Sequence, residues 1–115
     1  MVACPCARSV CGIGSSGEVY PCIGAPLPAG NLRTRSFRDI WRNSPVLQWV
    51  RGLQNEDFPT CASCAHRPYC RRNSGTMLTN TGSFTGPAYF GEDLFCTEAE
   101  LVHQLVEERL TARPA

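Results

Sequence analysis

Toward the C-terminus, Ala99, Val102, Leu105, Val106 and Leu110 recur at spacings of three and four, the period of one helix face. That period predicts a helix over about 97–110, with Thr97 as N-cap, Glu98 and Glu100 in a first turn that favours acidic side chains, and Arg113-Pro114-Ala115 as its end. Midway along the chain, Phe37, Ile40 and Trp41 share a similar stripe behind Ser36, a capping residue followed three positions later by Asp39. A second short helix should follow at once. Ser44 stands at its N-cap, Pro45 occupies the first helical position, and Val46, Leu47, Trp49, Val50 and Leu53 supply core residues up to Gly52 and just beyond. Both tryptophans, Trp41 and Trp49, are expected in the core. Near the N-terminus the period changes to two: Val10 and Ile13 lead into Ser15-Ser16-Gly17, and Glu18-Val19-Tyr20 returns, which predicts a hairpin within residues 9–22.

The remaining stretches carry no clear period. Pro26 and Pro28 make Gly24 to Gly30 an irregular connection, Gln54 to Pro59 is a polar link, and Gly75 to Gly91 reads as a loop rich in Gly, Thr and Asn. A loop of that length needs clamping from both sides, and metal ligation would supply it. The expected fold is a small α+β, metal-stabilised domain with an N-terminal β-hairpin, short helices and a C-terminal helix. It forms one unit over 1–115, with its core at about 4–100.

Composition sharpens this picture at the cysteines. Eight of the 115 residues are Cys, at positions 4, 6, 11, 22, 61, 64, 70 and 96, and in that number they either pair or bind metal. The opening Met1-Val2-Ala3 has no basic or apolar export region, and no apolar run reaches the roughly eighteen residues of a membrane span. A cytoplasmic location, with no membrane association, is the expectation, and reduced thiols there favour metal over a disulfide scaffold. Eleven basic and ten acidic residues give a net charge of +1, which offers no field for nucleic acid. Arg67, Arg71 and Arg72 surround cysteines and read either as a solvated basic face or as contacts for a ligand or partner, with no role assigned between the two, and His66 and His103 read as lone histidines in surface or packing roles, His66 lying where it could tune a nearby metal group.

Cys61, Cys64 and Cys70 form a C-x2-C-x5-C run, so three ligands are local, and Cys96, just ahead of the C-terminal helix, is the natural fourth. Four thiolates suit a tetrahedral zinc or an iron–sulfur cluster equally well. A second group comprises Cys4, Cys6, Cys11 and Cys22, folded together by the hairpin. Cys11 falls in the first strand, where it can also pack as a small apolar residue.

Cys4, the segment Gly17-Glu-Val-Tyr-Pro-Cys22, Gly30-Asn31, Ser36-Phe37, Ile40-Trp41-Arg42-Asn43-Ser44, the Cys61-Cys64-Cys70 run and Cys96 together resemble the SPASM domain. SPASM domains are C-terminal extensions of radical S-adenosylmethionine enzymes that mature peptides and proteins, and the resemblance covers roughly residues 4–100. It implies one or two [4Fe-4S] clusters: one on Cys61, Cys64, Cys70 and Cys96, and another on Cys4 and Cys22 with Cys6. The family's pattern has a further cysteine where this chain has Ser74, so the first set needs Cys6, Cys11 or Ser74 itself to complete it. The C-x3-C-x2-C triplet that holds the catalytic cluster of such enzymes does not occur here. The resemblance thus implies an auxiliary domain for electron relay or peptide-substrate docking that is not catalytic alone. S-adenosylmethionine enters only through a fused or separate radical core, with a peptide or protein substrate and a redox donor as further partners. The alternative is a structural zinc module that binds another protein.

Overall fold

The computed structural model describes residues 5–112; Cys4 and the Arg113-Pro114-Ala115 ending lie outside them. Strands β1 (Gly12–Ile13) and β2 (Glu18–Tyr20) form the predicted hairpin, with Gly12 opposite Tyr20 and Ile13 opposite Val19. Its turn closes through Gly14 N–H to Glu18 O at 2.8 Å and Gly17 N–H to Gly14 O at 2.9 Å. Gly17 sits there at φ +91°, and a Cβ on it would stand 2.9 Å from Asn31 Oδ1, so the turn requires glycine twice over.

A third strand, β3 (Gly30–Asn31), lies antiparallel to β2 with Val19 opposite Gly30. The connection read as irregular therefore ends in a strand, because only its last residues leave proline behind and can join the ladder. The α+β class holds: a three-stranded antiparallel sheet at the N-terminus is followed by short helices and one long C-terminal helix.

Helix α1 (Phe37–Asn43) begins as the sequence indicates, with Ser36 Oγ accepting from Asp39 N–H at 3.1 Å. Helix α2 (Pro45–Arg51) follows, with Ser44 at its N-cap. Ser44 makes no side-chain cap bond, however; buried, it donates its hydroxyl to Ala29 O at 2.7 Å and thereby ties the helix pair to the segment entering β3. Val19, Ile40, Leu47 and Val50 are buried together with Leu53, Phe58 and Phe84. Trp49 is a correction: it is 50 % exposed, tilted against Phe84, because the helix turns Leu47 and Val50 inward instead. Trp41 is half-buried, stacked on Phe37 and capped by the Arg51 guanidinium. Ile40 fills the space above Gly30, so Ile40→Ala should cost about 2–5 kcal/mol, read as a lower urea midpoint at unchanged slope.

The expected loop from Gly75 to Gly91 is corrected from Gly75 to Thr81 by α4 (Ser74–Thr81). Asn73 caps its start by accepting from Thr76 N–H at 3.0 Å, and Gly82 stops it at φ +77°. The C-terminal helix, α5 (Leu94–Thr111), starts three residues before the expected Thr97, since Asp93 takes the N-cap and accepts from Phe95 N–H at 2.7 Å. Of its apolar stripe only Ala99 is buried, and Leu105 and Leu110 are exposed. No described helix is long and apolar enough to cross a membrane.

Candidate metal centre

Pro59 opens α3 (Pro59–Ala62), a single turn that carries Cys61, and three consecutive turns follow. Cys64 N–H bonds Cys61 O at 3.2 Å, Arg67 N–H bonds Cys64 O at 3.3 Å, and Cys70 N–H bonds Arg67 O at 3.1 Å. These successive short turns, with a 3-10 helix over Arg67–Tyr69, give C-x2-C-x5-C its shape. Cys96 arrives from α5. It lies inside the first turn of that helix and not ahead of it, which is where the earlier N-cap at Asp93 puts it. Asp93 is itself buried and accepts from Asn80 Nδ2 at 2.8 Å, so α4 and the start of α5 are locked together.

Cys61, Cys64, Cys70 and Cys96 all line one cavity, whose other walls include Met77, Phe90, Phe95 and Ala99. Burial pushes the Cys61 thiol up, the Arg72 guanidinium pulls it down, and the other three cysteines each push it up. Burial likewise raises Cys70, against a hydrogen bond from the Arg72 backbone that lowers it. Burial and the neighbouring sulfurs thus favour the neutral thiol at Cys61 and Cys70, and a cationic metal group would reverse that preference. Gly86, at φ +114°, stands where a Cβ would come within 3.0 Å of Cys61 Sγ. Among the described residues no three His, Cys, Asp or Glu side chains converge as they would on a single ion.

At the other end, Cys6 and Cys22 are buried in the core, and Cys11, one residue before β1, is half-buried against it. Ala7 N–H donates to Pro21 O at 2.9 Å, which sets the Cys6 loop beside Cys22. Ser74 is fully buried at the first position of α4. Its neighbour Gly75 abuts the Gly24 backbone, so α4 starts against the turn that follows Cys22. Cys11, Cys22, Cys61, Cys64, Cys70 and Cys96 carry free thiols.

Two groups of side chains read otherwise in the sequence. His66 and His103 are not lone: their Nδ1 atoms lie 3.0 Å apart, with Tyr69 stacked on His103 and Phe90 against His66. Nor are the arginines one solvated face. Arg71 pairs with Glu98 at 2.8 Å in the open, whereas Arg72 turns inward over Phe58 and donates to Ser74 Oγ and Phe84 O. No local period could reveal either, because the partners lie far apart in sequence or depend on how the turns fold.

A small α+β domain with four thiols lining one cavity is of a metal-binding class, with a donor set that suits zinc or an iron–sulfur cluster. The chain belongs to the SPASM family: the profile of this iron–sulfur cluster-binding domain matches residues 4–65. That match ends before Cys70 and Cys96, which join the group through the cavity they share with Cys61 and Cys64. The chain is 31 % identical over 86 residues to an AdoMet-dependent heme synthase of Methanosarcina barkeri, covering 75 % of this chain and 23 % of that protein. The AdoMet-dependent heme synthase of Oleidesulfovibrio alaskensis is 30 % identical over 87 residues, 76 % of this chain and 21 % of its own length. That of Nitratidesulfovibrio vulgaris is 35 % identical over 60 residues, 52 % and 16 % respectively. The chain thus spans less than a quarter of the length of these relatives. No solved structure matches it significantly.

The donor set fits the family's cofactor. Each iron of a [4Fe-4S] cluster takes its own thiolate, so the sulfurs stand around the group instead of meeting at a point, as the four cavity cysteines do.

Proposed function

We propose that this chain is the auxiliary-cluster portion of a radical S-adenosylmethionine enzyme, serving electron relay, substrate docking or both for a catalytic core that is fused or separate. The observation that carries this reading is that Cys61 of α3, Cys64 and Cys70 of the turns that follow it, and Cys96 of α5 line one cavity. In this reading those four thiolates hold one [4Fe-4S] cluster. Cys4, Cys6 and Cys22 hold a second, completed by Cys11 or Ser74, and the whole of 1–115 acts as a single domain. When bound, such clusters supply one-electron transfer at a potential set by their surroundings. The chain's own residues do the rest: Met77, Phe90 and Phe95 keep water from the sulfurs, and Asp93 with Asn80 fixes the helix that presents Cys96.

The substrate follows the relatives. The resemblance implies a peptide or protein, whereas the similar proteins are named for heme synthesis, and a tetrapyrrole substrate handled by the radical core is the version their names favour.

Anaerobic reconstitution of the full chain with iron and sulfide tests the reading. About eight irons per chain are expected if both sets load and about four if only the cavity set does, with visible absorption and a reduced-state EPR signal. One tightly held zinc and no brown colour would leave a structural interaction module instead.

A further inference from the structure

Arg72 lies between the two cysteine groups and is only partly committed. One terminal nitrogen donates to Ser74 Oγ at 3.1 Å and to Phe84 O at 3.2 Å, and the guanidinium carbon sits 4.7 Å over the Phe58 ring. These contacts hold the side chain in one place. Its Nε, though, is buried with no hydrogen-bond partner among the described residues, and Arg72 lines the cavity that holds the four thiols. A buried guanidinium N–H left without an acceptor is costly, and such an orphan in a well-held side chain marks a donor whose acceptor arrives with a ligand. Inside this cavity the acceptors on offer are sulfurs.

We propose that Arg72 sets the reduction potential of the group carried by Cys61, Cys64, Cys70 and Cys96, giving it an Nε–H and a fixed positive charge while its other arm holds Ser74. This rests on the reading that those four thiolates bind a [4Fe-4S] cluster. Four thiolates leave the assembly anionic, and reduction adds one more negative charge. A guanidinium in the cavity wall and a hydrogen bond to sulfur both favour the reduced form, so they raise the potential. Arg67 also lines the cavity and donates to Asn55 Oδ1 at 3.5 Å. Arg72 is a positioning and tuning residue, not a ligand.

The test uses the full chain, reconstituted with iron and sulfide, and reads metal content together with an EPR-monitored redox titration. Arg72→Gln is expected to bind as much iron in the Cys61 set as the unsubstituted chain while its midpoint falls by at least ~59 mV, a tenfold change in the reduced-to-oxidised ratio of a one-electron couple. Arg72→Lys, which keeps the charge and loses the Nε–H, should fall between the two. Equal iron and an unmoved potential in Arg72→Gln overturns the proposal. If Arg72→Gln takes up no cluster, the unsubstituted protein decides. Chain labelled with arginine carrying 15N only in the guanidinium and reduced should show nitrogen hyperfine coupling to the cluster that survives Arg67→Lys, and no such coupling overturns the proposal. Failure of the unsubstituted chain to take up iron and sulfide removes the cluster reading itself, and the role of Arg72 with it.

Discussion

Cys70→Ser strips one cluster from the reconstituted chain: about four irons per chain are lost, with the matching share of visible absorption and of the reduced EPR signal. The size of the effect follows from how Cys70 is held. It closes the last of three consecutive turns, it is half-buried, and its sulfur accepts a hydrogen bond from the Arg72 backbone. A serine oxygen there is a harder and far weaker acid than a thiol, so it would have to ionise at a buried position already crowded by Cys61, Cys64 and Cys96. The same substitution should lower the thermal midpoint of the loaded protein while leaving the unloaded one almost unchanged, since binding energy in such domains is folding energy. Unchanged iron in Cys70→Ser would show that the cavity cysteines do not act as one ligand set.

Much of this arrangement is legible in the sequence because it is local. Ser36 with Asp39, Pro45 behind Ser44, and Gly17 between two strand-like runs each encode a cap or turn within a few residues, and all three appear where they should. The C-x2-C-x5-C run is local as well. What escapes is of two kinds. Helix α4 has almost no apolar stripe, because SGTMLTNT offers only Met77 and Leu78 among Gly, Ser, Thr and Asn. Its signals were the caps, Asn73 before it and Gly82 after it, and they outweigh poor propensity once Met77 packs. At α5 two good N-cap residues compete: the apolar stripe favoured Thr97, but Asp93 wins by satisfying Phe95 N–H and Asn80 together. The second kind is long-range. The His66–His103 contact spans 37 positions, and the inward turn of Arg72 depends on Phe58 and Phe84 being buried beside it. The C-terminal stripe shows the converse, for its period is real while most of its face stays uncovered within the described residues.

Gly75→Ala should be severely destabilising although it lies in a helix, where alanine is ordinarily better by about 1 kcal/mol. A Cβ at Gly75 would stand 2.4 Å from both C and O of Gly24 and 2.6 Å from Ala25 N. All three are backbone atoms in the turn that follows Cys22, so no side-chain rotation relieves the overlap. Either the turn or the start of α4 must shift. Overpacking of this kind costs roughly 1–3 kcal/mol or more, which outweighs the gain in propensity, and each kcal/mol lowers the thermal midpoint by about 4–8 °C in a domain near this size. Gly82→Ala separates this packing effect from backbone strain. Gly82 takes a left-handed conformation, unlike Gly75, and a Cβ there meets nothing within 4 Å, so it should cost only the conformational penalty of about 1–2 kcal/mol. The metal readout carries the consequence for function. A displaced α4 start moves Ser74 away from the Cys22 turn, so Gly75→Ala should lose iron from the N-terminal cysteine set while the Cys61, Cys64, Cys70 and Cys96 set still loads. Gly82→Ala should keep both. Full iron in Gly75→Ala would mean that the N-terminal cysteines complete their site without any help from the helix that carries Ser74.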